Sequence, residues 1–261
     1  MKPFLLEDEF GDIIHKARQG LGLSMEQVAH ATGLTKEDLA AMETYRLEPK
    51  LDQTQQLAAF LHLNPDKLWS IASNSFILPQ VPTTLGDFAL WVLPGETGES
   101  NCYIVQNTRI QSGVIIDPGV SLQRIGEIIK DNSIPIQAVL ITHRHGDHIK
   151  SLDGLVDEFA VPVYPDMSGE ITLALGGTDV VQIPTPGHTE DSVCFLFPGF
   201  IFVGDLLFAG SVGRAQVGKW NTHLQHVNTI LRLPGTTLVL PGHGPVTTCK
   251  TELIINPFFS N

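Results

Sequence analysis

Between His143 and His148 the chain places three imidazoles and a carboxylate: His143, His145, Asp147 and His148, within THRHGDHIKSLDGL. Neutral imidazole and carboxylate together suit zinc, iron or manganese better than calcium. The β-branched run AVLIT ends at Thr142. In extended chain alternate side chains share a face, so His143 and His145 can point at one ion. The chain is then expected to turn into a helix starting near His148, with Gly146 supplying backbone freedom, so that Asp147 and His148 face a second ion. A polar loop holding these residues by chance is a poor account of so short a cluster.

Three later residues extend the set: His188 in TPGHTEDSVCF, Asp205 in GFIFVGDLLFAGSVGR and His243 in LPGHGPVTT. Each falls at a strand end or a Gly/Pro turn, where a rigid scaffold commonly carries functional side chains. Taken singly, each would read as structural; the first cluster is what recruits them. Arg214 follows the Gly-rich turn downstream of Asp205, and its cationic fork suits a substrate carboxylate. The competing account, a surface arginine paired with a nearby acid, carries equal weight. His15, His30, His62, His223 and His226 receive no role. Cys102, Cys194 and Cys249 are odd in number and widely spaced, which fits neither a disulfide framework nor a thiolate zinc site; they read as small buried hydrophobes.

The elements that must position these residues fall into two regions. Over residues 1–75, Phe10, Ile13, Ile14 and Ala17 recur at helical spacing. Ser24 and Gln27 form a capping-box start, Gly33 a stop, and Thr35 the next cap. Asp52 and Asn64-Pro65 are expected to open two further helices. Pro79, Pro82, Thr83, Thr84 and Gly86 mark residues 76–86 as a linker. From 87 to 261, the runs ALWVL, NCYIV, GVIID, AVLIT, SVCFLF, GFIFVGD and TLVLPG read as strands. Leu122–Lys130, Ile149–Phe159 and His223–Leu233 read as helices, which together predicts layered α/β architecture. The 261 residues hold 43% hydrophobic and 17% charged residues, ordinary for a buried core. A net charge of −12 argues against a general polyanion binder. No apolar run has the length of a membrane span, and MKPFLLEDEF turns acidic too early for a signal peptide, so a cytoplasmic protein is expected.

From about Leu85 onward the motifs resemble the metallo-β-lactamase-fold superfamily, whose fold is an αββα sandwich. That resemblance implies a first ion on His143, His145 and His188, a second on Asp147, His148 and His243, and Asp205 bridging them. Asp117, in VIIDPG, resembles the aspartate that orients a ligand histidine. Asp205 in place of cysteine argues against a true β-lactamase, and His145 in place of a carboxylate against the flavodiiron oxygen reductases. GDLLFAGSVGR, LPGHGPVTT and the NPFF at 256–259 resemble the short bacterial glyoxalase II-type hydrolases. The sequence departs from them at Ala215-Gln216-Val217, and the resemblance stops short of the helical domain that binds glutathione in the long enzymes. The implied chemistry is hydrolysis of a thioester such as a hydroxyacylglutathione. Two divalent ions, zinc first with iron or manganese compatible, lower the pKa of bound water from about 15.7 to roughly 7. Asp147 is expected to bind one ion and to orient the resulting hydroxide. Lactonases share the full ligand set, and persulfide dioxygenases use a single iron on a similar one.

Residues 10–70 resemble the Cro/C1-type helix-turn-helix family, carried by GLSMEQVAHATGLTKEDLAAMETYRLEP with Glu43 and Pro49 at the family's acid and proline. The second helix of that unit would be the recognition helix. Its start, Thr35, Lys36, Glu37 and Asp38, offers two carboxylates to a phosphate backbone and no base-reading Arg, Asn or Gln. Residues 1–75 hold seven Lys plus Arg against eleven Asp plus Glu, a net of −4. DNA is therefore a second candidate partner, in a regulator with a metabolite-sensing hydrolase domain. Dimerisation or substrate gating is the plainer role for this all-α domain; modules of that family often pair, which makes a homodimer a candidate assembly while the sequence leaves the oligomeric state open.

Overall fold

A computed structural model of the chain describes residues 6–80, 84–164, 171–175 and 178–259. The helices come first. α1 (Phe10–Gly20) buries Phe10, Ile13, Ile14 and Ala17, the stripe set by their spacing. Ser24 caps α2 (Met25–Thr32): its hydroxyl accepts from the Gln27 amide, and the Gln27 side chain accepts the Ser24 amide at 2.8 Å. Gly33 ends that helix at φ 67°, and Thr35 caps α3 (Lys36–Glu43) through the Asp38 amide at 3.0 Å. α4 (Leu51–Phe60) begins two residues earlier than expected. Lys50 is the extended cap residue, its amide taken by Gln53 at 2.9 Å, and Asp52 falls in the first turn. Asn64 caps α5 (Pro65–Ala72). The Glu43 carboxylate holds His15 at 2.7 Å and Arg18 at 2.6 Å, tying α3 to α1.

The remaining elements run β1 (Thr84–Leu85), β2 (Phe88–Leu93), β3 (Cys102–Asn107), β4 (Ser112–Ile116), α6 (Leu122–Asn132), β5 (Ile136–Leu140), α7 (Leu152–Phe159), β6 (Val163–Tyr164), β7 (Ile171–Leu175), β8 (Thr178–Pro184), β9 (Val193–Phe197), β10 (Phe200–Gly204), β11 (Leu207–Phe208), β12 (Ser211–Val212), α8 (Trp220–Leu231), β13 (Leu238–Pro241), β14 (Thr247–Thr248) and α9 (Cys249–Ile255). Among the described residues they build two six-stranded sheets, ordered β1-β2-β3-β4-β5-β6 and β14-β13-β10-β9-β8-β7, and a β11-β12 hairpin. The β4/β5, β5/β6 and β10/β13 pairs are parallel.

Alternation along the strands makes the layers. In β3, Tyr103 and Val105 face the second sheet and meet Phe195, Phe200 and Phe202, while Cys102 and Ile104 face α6 and α7. The outer side of the second sheet, Ile201, Val203 and Val239, packs on Val227, Ile230 and Leu231 of α8 and Cys249 of α9. The order helix, sheet, sheet, helix is the αββα sandwich. All three cysteines are free and buried.

Two expectations change. The helix foreseen from Ile149 starts at Leu152, because residues 146–151 form turns that reposition the metal-ligand candidates first. Of the foreseen linker, Thr84 and Leu85 pair with Ala89 and Phe88 as a hairpin. Pro82 and Thr83 lie outside the described residues. Among the described residues no helix is long and apolar enough to cross a membrane.

The helical region and the sandwich share a junction. The Lys67 ammonium donates to the Leu253 carbonyl at 2.7 Å and the Phe259 carbonyl at 2.6 Å, and the Asn64 amide to Pro257 O at 2.7 Å. These carbonyls belong to the end of α9 and the NPFF segment after it, where helix geometry leaves acceptors unsatisfied. Ala209 and Phe258 join the core of the helices. Lys67→Met keeps the aliphatic stem and removes the donor. It should lower the unfolding free energy by about 2 kcal/mol, the cost of leaving buried carbonyls unpaired, in urea denaturation; an unchanged midpoint would show that the junction adds no stability.

Candidate metal centre

The centre forms where strands of both sheets end. After β5, the Thr142 amide and hydroxyl donate to the Asp117 carboxylate at 2.7 and 2.6 Å, fixing the chain as it reaches His143. The His148 amide closes a turn on the His145 carbonyl at 3.0 Å, so a turn rather than a helix redirects Asp147 and His148. Gly146 lies in this turn without a positive φ, and a Cβ there would meet nothing within 4 Å. His188 lies in the loop between β8 and β9, Asp205 directly after β10, and His243 after β13.

Two groups of donors converge. In the first, His145 Nδ1 lies 3.0 Å from His143 Nε2 and 3.0 Å from His188 Nε2, and Asp205 Oδ2 is 3.5 Å from His188 Nε2. In the second, Asp147 Oδ2 lies 3.2 Å from His243 Nε2 and 3.8 Å from His148 Nε2. Asp205 also reaches this second group, with Oδ1 3.3 Å from His148 Nε2 and Oδ2 3.7 Å from His243 Nε2. The ligand atoms of each group lie within 4.8 Å of one another.

Outer contacts aim the rings inward. His188 Nδ1 sits 2.7 Å from the Arg214 carbonyl, which can only accept, so Nε2 presents its lone pair to the group. His148 Nδ1 is held 3.0 Å from Asp117 Oδ2, which fixes that tautomer likewise. Asp117 is buried and left-handed at φ 47°, a backbone that aspartate tolerates better than most residues.

The field suits cations. Burial alone would raise the Asp205 pKa, but His148, His243 and His143 hold it below the carboxylate range. Burial disfavours charge on His148, yet Asp117 and Asp205 outweigh it and raise that imidazole to about 10. Burial and then His148 press His143 down to about 2. Among the described residues, His148 Nε2 and Asp205 Oδ1 are buried with no hydrogen-bond partner. At Gly242 a Cβ would lie 2.3 Å from Asp205 Oδ1 and 2.5 Å from His148 Cε1, so only glycine admits both groups. Orphaned donors turned on shared space, in a set of imidazoles and carboxylates, fit divalent metal ions.

The metallo-beta-lactamase superfamily profile matches residues 95–172 and 165–243. The chain belongs to this superfamily. A hydroxyacylglutathione hydrolase of Idiomarina loihiensis is 34% identical over 141 residues, which are 50% of this chain and 55% of that protein. The chain thus spans about half the length of that relative. A Bacillus subtilis protein named "Probable metallo-hydrolase YqgX" is 32% identical, over 56% of this chain and 87% of that protein. Among solved structures, the BLEG-1 B3 metallo-beta-lactamase aligns at TM-score 0.60 and 29% identity, covering 66% of this chain and all of that one.

All seven foreseen metal candidates and Asp117 come together. Arg214 meets them through its carbonyl alone, its side chain being exposed. Sequence reasoning missed Asn101, whose side-chain amide donates to Pro241 O at 3.1 Å and Gly244 O at 2.9 Å, bracing the loop of His243. Its position beside the apolar run of β3 was the available signal. It also missed Glu7, more than two hundred residues from the loop it touches, for which no local signal exists. Asp117→Asn keeps the left-handed backbone and removes the charge. Metal affinity should fall by about 10- to 100-fold, read by competition with a chromogenic chelator; unchanged affinity would exclude Asp117 from orienting His148.

Proposed function

We propose that this superfamily member is a dinuclear metallohydrolase acting on a thioester such as a hydroxyacylglutathione. The carrying observation is the pair of donor groups that share one carboxylate, Asp205. In this reading His143, His145 and His188 hold one ion, Asp147, His148 and His243 hold the other, and Asp205 serves both. Zinc is the first candidate and iron or manganese also accept these donors. When bound, the ions supply Lewis acidity that brings water toward a pKa of roughly 7 and polarises a carbonyl.

The chain's own residues do the rest. Asp147 has the more open carboxylate, 32% exposed against 11% for Asp205, so it can both ligate and accept a hydrogen bond from the attacking water. His188 and His148, locked through their outer nitrogens, keep their inner nitrogens aimed without reorganisation. A thiolate leaves readily because its parent thiol has a pKa near 8.5 (about), so no strong general acid is required of the protein. The likeness to a hydroxyacylglutathione hydrolase supports the same substrate class. Arg214 is assigned to a substrate carboxylate. The free cysteines favour a reducing, cytoplasmic setting.

S-D-lactoylglutathione should be hydrolysed by protein carrying about two metals per chain, and Asp205→Asn should abolish turnover and lower the metal content. Two metals without turnover would discard this substrate and bring lactones and persulfides forward. Arg214→Ala should raise KM with little change in kcat; unchanged kinetics would remove it from the site.

The DNA-binding reading has less support. At the exposed start of α3, Lys36 is paired with Glu26 and Glu37 faces solvent. Random and genomic DNA should therefore show no mobility shift at low salt with micromolar protein, and a specific shift would restore the regulator reading.

A further inference from the structure

The segment that enters α1 runs along the metal centre. Leu6 packs against Gly210, where a Cβ would lie 3.3 Å from the Leu6 methyl. Glu7 then lies on the loop that carries His243. A Cβ at the neighbouring Gly244, whose φ is +73°, would stand 2.9 Å from the Glu7 Cβ and 3.0 Å from its amide nitrogen. This close approach puts the backbone of the helical region against the backbone of a metal-ligand candidate.

Among the described residues Glu7 forms no ion pair, and the cation near it is engaged elsewhere. Asp8 is buried and pairs with Lys16. The Lys16 ammonium also donates to Val212 O at 2.9 Å and lies 4.8 Å above the Phe208 ring. That ring meets the His243 imidazole edge-on at 5.9 Å. Lys16 is thus committed to Asp8, a carbonyl and a ring face. Glu7 keeps an exposed side chain. Burial against the loop raises its pKa, and His243, Asp8, Lys16 and Asp205 act on the carboxyl in turn.

We propose that Glu7 is a specificity residue, a carboxylate delivered to the mouth of the metal centre by the helical region, that favours substrates presenting a protonated amine beside the reacting group and disfavours those presenting a carboxylate there. The assignment rests on the metal-centre reading but not on the thioester. Arg214 borders the other donor group through His188, so the two charges act on different parts of a substrate. A substrate with a cationic thiol half, or a zwitterionic one, satisfies both.

Three small thiols of similar length separate charge from shape: cysteamine, 2-mercaptoethanol and 3-mercaptopropionate. Each is titrated at pH 8 into the cobalt(II)-loaded full-length protein, and binding is read from the thiolate-to-cobalt absorption. The unaltered protein should bind cysteamine most tightly and 3-mercaptopropionate least. Glu7→Gln, nearly isosteric, should flatten the order, and Glu7→Lys should reverse it, moving the cysteamine to 3-mercaptopropionate ratio by about tenfold or more, as expected for a charge pair in a partly desolvated mouth. The 2-mercaptoethanol affinity and the cobalt content should stay constant across the three proteins. An order unchanged in Glu7→Lys, or a shift equal for all three thiols, would overturn the proposal. Loss of thioester turnover with the thiol order intact would count against the thioester alone, and a chain that takes up no cobalt would overturn both readings.

Discussion

Everything at the centre is arranged around one buried carboxylate. Asp205 faces two groups of imidazoles, and taking its charge out of water costs several kcal/mol unless positive charge compensates it. Compensation requires close approach, and close approach explains the backbone around it. Gly242 leaves room beside Oδ1, and at Gly213 a Cβ would lie 1.6 Å from the Asp205 carbonyl oxygen. The sandwich brings the end of β5 from one sheet to the ends of β10 and β13 from the other. The end of β10 carries that carboxylate, and the ends of β5 and β13 each hand a loop to it. Sheet-on-sheet packing through Tyr103, Phe195, Phe200 and Phe202 is therefore what sets the spacing of the donors.

Outside the donors a layer of acceptors decides which way each ring points. Asp117 and the Arg214 carbonyl take the outer nitrogens of His148 and His188, and Asn101 clamps the carbonyls on either side of His243. Asp117 holds a left-handed backbone that costs energy, and it persists because three hydrogen bonds overdetermine it: two from Thr142 and one from His148. The strain is thus local to the residue that links the strand end to a metal-ligand candidate.

Much of this was legible in the sequence because the signals are local. The His143 to His148 cluster, the Ser24 and Thr35 caps, the Phe10 to Ala17 stripe and most strands depend on residues a few positions apart. The misreadings share a cause. The helix placed at Ile149 assumed that the chain leaves β5 directly into a helix, whereas His148 first turns back on His145. Asp52 has cap chemistry, but the helix starts where Gln53 can take the Lys50 amide. Asn101 and Glu7 act across about 140 and 237 residues of sequence, and no periodicity encodes such pairings. The foreseen boundary near residue 75 marks a change of pattern, yet Lys67, Asn64 and Leu6 all bond or pack across it.

That junction also bears on what the helices do. The residues that reach the sandwich lie on the entry to α1, on α1 itself and on α5: Leu6, Glu7, Lys16, Asn64 and Lys67. A tethered reader of DNA would gain nothing from threading a carboxylate beside His243 or from spending a buried ammonium on Asp8. A wall of a substrate site gains from both, since one shapes the entrance and the other supports Phe208 against the imidazole. The acidic surplus of residues 1–75 acts in the same direction at both places. It sets Glu37 and Asp38 at the start of α3 and Glu7 against the loop of His243. A single excess of negative charge thus weakens the case for a polyanion partner and shapes the case for a cationic substrate group.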